Sequence, residues 1–217
     1  MCGAQDDPLF HDMLIDIHPE TPEPRKVKQA VDLLKQDGVI VIPTDSVYSF
    51  ACALGSSKAL DKMARLRDLT PAEANFSLIC KDLSQVSNYI APLAQPTFKL
   101  MKRALPGPFT FILKAGVNVP RIFRKSKREV GIRIPDHTIP SALIELLGVP
   151  LVVSSVPHDD TLEYMTDPGL VHEKYGRQVE AVIGGDLGNL EASTVIDCTD
   201  ETHTVIREGR GNIDGLI

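Results

Sequence analysis

The sequence predicts an α/β fold in which helices and short strands alternate along one domain. Segments with apolar residues at helical spacing alternate with short Val- and Ile-rich runs through most of the chain. Near the end, "STVIDC" and "THTVIRE" follow each other without a helix between them, which predicts an antiparallel pair and therefore a mixed sheet. A chain of 217 residues, 43% hydrophobic and 24% charged, is large enough for one substantial core.

The helices are predicted from apolar periodicity and from residues that begin or end helices. The first covers residues 25–37, and Gly38 is expected to end it as a C-terminal cap. Ser56 or Ser57 begins the second, which runs into "ARLRD". Three more are predicted at "TFKLMKRAL", "IPSALIELLG" and "DPGLVHEKYG".

The strands are predicted from β-branched runs between these helices. They are "VIVIP", "FSLICK", "FTFILK", "VGIRIP", "LVVSS", "VEAVIGG", "STVIDC" and "THTVIRE". Residues 1–13 are polar and contain Gly and Pro, so we expect a loose N-terminal tail followed by one domain over residues 14–217.

Charge and hydropathy exclude several classes of protein. The net charge of −6 argues against a protein that binds nucleic acid or anionic membrane with its whole surface, although a local basic face remains possible. There is no apolar run of the roughly 20 residues needed to span a bilayer, and the first thirty residues lack a secretion signal. These features predict a soluble, cytoplasmic protein.

The cysteines and the known catalytic motifs exclude further classes. Cys2, Cys52, Cys80 and Cys198 form no C-x-x-C pair, which argues against a zinc site or a disulfide framework, and the last three are expected to be small core residues. The sequence also lacks a G-x-x-x-x-G-K-[ST] phosphate loop, an H-E-x-x-H helix and a G-x-S-x-G turn.

Polar side chains instead collect at the ends of predicted strands, where open α/β sheets bind ligands. They are Thr44, Asp45, Ser46, Thr110, Lys114, Arg133, Ser154, Ser155, Ser193, Thr194 and Arg207, joined by Arg65 and Arg67 at the end of the second helix. Hydroxyl and guanidinium groups of this kind can hold phosphates and a carboxylate. Because no nucleophile is evident, they suit an enzyme that orients polyanionic substrates and stabilises charge.

Each of these residues also has a structural explanation. Hydroxyls at strand ends commonly satisfy turn backbone, and Arg65 and Arg67 could be solvated at a helix C-terminus. Arg133 lies on a half-buried strand and needs a partner, which could be a structural carboxylate or a ligand. His137 and His158 lack metal-like companions, which favours surface or capping roles.

The order of the motifs resembles the YrdC/YciO family, with the L-threonylcarbamoyladenylate synthase fold. The motifs are "GVIVIPTDSVYSF", "ARLRD", "NFSLIC", "PGPFTFILK", "VGIRIPDH", "STVIDCT" and "VIREG". The similarity covers residues 15–214, and "IHPE", "NFSLICKDLS" and "IREG" place it nearest to the YciO branch. It implies a twisted mixed sheet flanked by helices around a concave, positively lined cavity.

The resemblance also implies an activity and its partners. Synthases of this family join L-threonine, bicarbonate and ATP into threonylcarbamoyl-AMP and pyrophosphate, the chemistry that precedes t6A modification of tRNA. An L-threonylcarbamoyladenylate synthase-like nucleotidyltransferase is therefore expected here. Mg²⁺ would accompany ATP and would need no dedicated protein site.

The family's functional residues map onto matching positions of this chain. Arg65 and Arg67 match its catalytic K-x-R motif; Thr44, Asn75 and Arg133 match threonine-binding positions; Thr110, Ser155, Thr194 and Arg207 match nucleotide-binding positions. Two positions depart from the family pattern: Arg65 replaces lysine in the K-x-R motif, and Pro157 replaces the asparagine of an S-A-N stretch.

An alternative is a non-catalytic or weakly active YciO-type paralogue that binds nucleotide or double-stranded RNA. Its local support is the segment "RIFRKSKRE", in which Arg121, Arg124, Lys125, Lys127 and Arg128 are basic although the chain as a whole is acidic. The same segment could also be a solvated charged surface.

Overall fold

The computed structural model describes residues 13–70, 73–120, 128–157, 161 and 163–216, which contain ten strands and seven helices. The strands are β1 (Leu14–Asp16), β2 (Ile40–Ile42), β3 (Ser49–Ala53), β4 (Ser77–Ile79), β5 (Phe109–Lys114), β6 (Glu129–Arg133), β7 (Leu151–Ser155), β8 (Ala181–Gly184), β9 (Thr194–Asp197) and β10 (Thr204–Arg207). The helices are α1 (Pro24–Lys35), α2 (Ser57–Arg65), α3 (Leu83–Val86), α4 (Gln95–Ala104), α5 (Thr138–Leu147), α6 (Glu163–Thr166) and α7 (Pro168–Tyr175).

All ten strands belong to a single mixed sheet in the order β1-β8-β2-β3-β7-β4-β6-β5-β9-β10. The pairs β1/β8, β2/β8, β4/β6 and β5/β9 are parallel. The remaining pairs, including β9/β10, are antiparallel. The predicted mixed sheet, with an antiparallel pair at its C-terminal end, is confirmed.

Strands such as β2 and β8 are buried on both faces of the sheet, which explains their continuous Val and Ile runs. In β2 the alternation of side chains sends Ile40 and Ile42 into a core layer shared with α1 and α5. Val41 enters the other layer, shared with α2, α4 and α7. The sheet is therefore the middle layer of the molecule.

The boundaries of α1 and α2 test two predicted helix signals. Ser56 caps α2, since its Oγ accepts a hydrogen bond from the backbone N–H of Ala59 at 3.1 Å, as predicted. Gly38, however, is not the left-handed residue after α1, because Asp37 takes that conformation with φ of 61°. Gly38 is needed for close packing instead: a Cβ there would lie 2.6 Å from the carbonyl oxygen of Leu33.

Four short elements were not predicted: β1, β3, α3 and α6. The sequence of β3, SFACA, has no β-branched residue, so its strand conformation comes from pairing with β2 and β7. Residues 1–12 of the predicted tail lie outside the described residues. None of the described helices has the length and apolar character that crossing a bilayer requires.

Three of the four cysteines are buried core residues, as the sequence predicted. Cys52, Cys80 and Cys198 are buried free thiols, and burial raises the pKa of each to about 12. They remain protonated at neutral pH and serve as small apolar core residues.

Candidate functional site

A cavity of about 680 Å³ opens over six neighbouring strands, from β7 through β4, β6, β5 and β9 to β10. Among the described residues that line it, the charged ones are Arg67, Glu129, Arg133 and Arg207. The hydroxyl-bearing ones are Ser77, Thr110, Ser154, Ser155 and Ser193. The cavity thus offers three guanidinium groups, one carboxylate and many small hydrogen-bonding groups.

Strand register brings these residues together from distant parts of the chain. On β6, Glu129, Gly131 and Arg133 occupy alternate positions and all line the cavity, while Ile132 enters the core. In the next strands Thr110 pairs with Val195, and Val195 pairs with Arg207.

Arg133 is a buried cation held by a buried carboxylate. Its Nη2 donates to Asp45 Oδ1 at 2.9 Å and to Ser46 Oγ at 2.8 Å, and the paired side chains are only 4% and 7% exposed. Burial lowers the pKa of Arg133, and the charge of Asp45 opposes this shift. Its Nε is buried and has no hydrogen-bond partner in the described structure. Arg133 therefore has both a structural partner and an unused donor.

The loop that follows β2 supplies this support for Arg133. Thr44 Oγ1 donates to the carbonyl oxygen of Val47 at 2.9 Å and accepts from the backbone N–H of Ser46 at 3.1 Å. Asp45 Oδ2 accepts from the backbone N–H of Asp136 at 2.9 Å. Thr44 is buried and does not line the cavity, although its Oγ1 lies 3.5 Å from Arg133 Nη2.

The two arginines of the predicted K-x-R match lie in different environments. Arg67 lines the cavity, and its Nη1 donates to Ser154 Oγ and to the carbonyl oxygen of Ser155, both at 2.7 Å. Arg65, the last residue of α2, is exposed and does not line the cavity. The structure therefore places Arg67 with the other cavity residues and Arg65 outside them.

The opposite wall contains a second hydrogen-bonded cluster. Thr110 Oγ1 lies 2.7 Å from Ser193 Oγ, and Arg207 Nη2 donates to the carbonyl oxygen of Ser193 at 2.7 Å. Thr194 is fully buried and does not line the cavity. Its hydroxyl donates to the carbonyl oxygen of Gly211 at 2.7 Å and accepts from the backbone N–H of Gly209 at 3.0 Å, which fastens the C-terminal segment.

The structure thus gathers some of the residues singled out from the sequence and separates others. Those that line the cavity are Arg67, Asn75, Thr110, Arg133, Ser154, Ser155, Ser193 and Arg207. Those that do not are Thr44, Asp45, Ser46, Arg65, Lys114 and Thr194. The cavity lining also contains residues that the sequence did not point to, among them Glu129, Gly131 and Ser77. Because side chains alternate between the two faces of a strand, the positions two and four residues before Arg133 would have identified Gly131 and Glu129.

The basic segment is described only at its end. Arg128 is exposed and has a positive φ of 52°. Arg121, Arg124, Lys125 and Lys127 lie outside the described residues, as does His158. Contact with RNA through this segment stays a prediction from the sequence.

His137 has the capping role that the sequence favoured. Its Nδ1 accepts a hydrogen bond from the backbone N–H of Ile139 at 3.2 Å, at the start of α5. Burial lowers the pKa of His137, against the opposing charges of Asp186, Asp45 and Asp136. The neutral imidazole is the form that can accept this hydrogen bond.

A comparison with known proteins relates this fold to a family. The sequence model of the Sua5, YciO and YrdC proteins, described as "Telomere recombination", matches residues 32–209. The chain belongs to the Sua5/YciO/YrdC family. YciO of Escherichia coli is 39% identical over 198 residues, which cover 91% of this chain and 95% of the relative. The crystal structure of E. coli YciO matches with a TM-score of 0.88 at 36% identity, over 95% of this chain and 100% of that one.

Other relatives carry the name of an activity or a ligand. A threonylcarbamoyl-AMP synthase of Halorhodospira halophila is 27% identical over 178 residues, 82% of this chain and 92% of the synthase. The structure of P. abyssi Sua5 complexed with L-threonine has a TM-score of 0.83 at 22% identity, over 94% of this chain and 59% of that one. The predicted family and the twisted mixed α/β sheet are confirmed.

Proposed function

We propose that the protein binds threonylcarbamoyl-AMP in this cavity and forms it from L-threonine, bicarbonate and ATP. The observation that carries the proposal is the convergence of Arg67, Arg133 and Arg207 on one cavity, with the buried Arg133 retaining an unused Nε–H. Such a site suits a ligand with a carboxylate and phosphate. The synthase among the relatives supports the choice of reaction.

The proposed reaction needs no covalent bond to the protein. The threonine amine condenses with bicarbonate, releasing water and giving a carbamate. A carbamate oxygen then attacks the α-phosphorus of ATP; the new P–O bond forms as the α–β P–O bond breaks, and pyrophosphate leaves. The protein aligns these groups and offsets their negative charge, which accounts for hydroxyls and guanidiniums in place of a nucleophile.

We assign roles from the position of each group. Arg133 binds the threonine carboxylate, with Thr44 and Asp45 holding its guanidinium in place. Arg67 and Arg207 bind phosphate oxygens from opposite sides of the cavity. Arg65 remains a candidate for phosphates that extend beyond the cavity lining.

The remaining cavity residues and the metal complete the assignment. Asn75 contributes to threonine binding, and Thr110 and Ser155 contribute hydrogen bonds to the nucleotide. Mg²⁺ would enter with the phosphates of ATP. In the described part of the chain, no group of three His, Cys, Asp or Glu side chains could hold a metal ion.

The test is pyrophosphate release from ATP and Mg²⁺ by the purified protein, with and without threonine plus bicarbonate. We expect threonine-dependent release that falls at least about tenfold in Arg67→Ala, because a charge-assisted contact to phosphate is lost. Arg25→Ala, at an exposed position of α1, is the matched control and should retain full activity.

Two outcomes would contradict the proposal. Pyrophosphate release that does not depend on threonine would show that ATP reacts with an acceptor other than the threonine carbamate. If ATP binds but no pyrophosphate is released, the protein is a nucleotide-binding paralogue without synthase activity, the alternative that the sequence left open.

A further inference from the structure

Glu129 is the charged cavity residue that the proposed function leaves unexplained. It is the first residue of β6 and carries the one carboxylate among the described residues that line the cavity. The ion pairs formed by the described residues do not include it. A partly exposed acid among three arginines would weaken phosphate binding unless it contacts another part of the ligand.

The strand geometry separates Glu129 from Arg133. Four residues of extended strand place their Cα atoms about 13 Å apart on the same face of β6. Arg133 is already paired with Asp45 at the far end. Gly131 lies between them without a side chain, and Ser77 and Thr110 lean over it from the neighbouring strands. A ligand along β6 would therefore meet a cation at one end and an anion at the other.

The cross-strand neighbour of Glu129 does not occupy its carboxylate. Lys114 of β5 pairs with Glu129 in the antiparallel register, so the two side chains leave the sheet on the same face. Lys114 is exposed, does not line the cavity and forms no ion pair with Glu129 in the described structure. The carboxylate is thus available to a ligand.

We infer that Glu129 binds the ribose 2′,3′-diol of the nucleotide, an inference that rests on the proposed function. A carboxylate accepts hydrogen bonds and donates none, so it suits vicinal hydroxyls, and its charge repels phosphates. It therefore fixes the direction of the nucleotide, with the ribose near Glu129 and the phosphates towards the arginines. Carboxylates recognise ribose hydroxyls in this way in dinucleotide-binding folds.

The test compares the binding of ATP and 2′-deoxyATP by calorimetry, without threonine, in wild type and in Glu129→Gln. The two nucleotides carry the same charge, so their affinity ratio isolates the 2′-hydroxyl. We expect wild type to prefer ATP by about tenfold, the effect of one hydrogen bond to a charged group. In Glu129→Gln the ratio should fall towards unity, even though the loss of a negative charge strengthens the binding of both nucleotides.

Lys114→Gln is the matched control, because it changes a charge beside Glu129 outside the cavity lining, and it should keep the wild-type ratio. Wild-type binding of ATP without preference over 2′-deoxyATP would overturn the inference and leave the proposed synthesis standing. An unchanged ratio in Glu129→Gln would do the same. Failure of wild type to bind either nucleotide would overturn the proposed function as well, so the two failures are distinguishable.

Discussion

At the scale of single residues, Arg133, which lines the cavity, depends on Asp45, which does not. Asp45 and Arg133 are 88 positions apart, yet they form a nearly inaccessible ion pair. The sequence indicated that Arg133 needs a partner but could not choose between a carboxylate and a ligand. The choice depends on the fold, which brings the loop after β2 to the end of β6.

Removing the charge of Asp45 should therefore be costly. We expect Asp45→Asn to lower the free energy of unfolding by about 3–5 kcal/mol, because it leaves a buried guanidinium uncompensated. Urea denaturation measures this. Asp32→Asn, which breaks the exposed pair with Lys28, is the control and should cost less than about 0.5 kcal/mol. Equal losses in the two variants would show that the buried pair is not a stability determinant.

His137 links stability to pH. Because burial lowers its pKa, the unfolded chain takes up a proton at pH values where the folded chain does not. Its contribution is therefore complete above the ordinary pKa of 6.5 and is lost as the pH falls through the lowered value. The variant His137→Asn keeps a capping oxygen that does not titrate. Urea unfolding is measured at two pH values, one above and one below 6.5. We expect the free energy of unfolding to fall more at the lower pH in wild type than in His137→Asn. Equal falls in the two proteins would refute this role.

At the scale of elements, runs of several β-branched residues made strands predictable, whereas the short β1 and β3, which has no β-branched residue, were not predicted. "FTFILK" coincides with β5. β3 contains Ser, Ala and Cys and is a strand because β2 and β7 lie on either side of it. Similarly, Gly131 reads as an ordinary glycine in sequence, and only the sheet shows how closely its neighbours approach.

Gly131→Ala tests that approach. A Cβ at this position would lie 2.5 Å from Ser77 Oγ and 3.4 Å from Thr110 Cγ2, so we expect a loss of about 1–3 kcal/mol in the free energy of unfolding. Adding Ser77→Ala should recover part of the loss, because it removes the closer atom. If the double variant is as unstable as Gly131→Ala alone, the contact with Ser77 Oγ is not the cause of the instability. Chemical denaturation of the two single variants and the double variant completes the cycle.

At the scale of the whole molecule, a net charge of −6 coexists with a cavity bearing three arginines and one glutamate. The net charge argued against anion binding by the whole surface, while the polar residues at strand ends pointed to a local anion-binding site. The order of motifs predicted the family, and the adjacent C-terminal strands predicted the mixed sheet. The exposed position of Arg65 and the buried positions of Thr44 and Thr194 could not be predicted, since they depend on how neighbouring elements pack.

Binding to such a cavity should depend on salt. We expect the affinity for ATP to fall several-fold between about 0.05 M and about 0.5 M ionic strength, because screening shortens the reach of the guanidinium charges. L-Threonine has no net charge and is the control ligand, whose affinity should change less. Calorimetric titrations at both salt concentrations measure this. Equal salt dependence for the two ligands would argue against electrostatic binding of the phosphates.

The position of β8 has a consequence for how the chain is made. This late strand lies between β1 and β2, the first two strands in sequence, and pairs with both in parallel. During synthesis the edge that will receive it stays open until residue 184 has left the ribosome. β8 must therefore insert between two strands from the beginning of the chain, a long-range contact of the kind that slows folding.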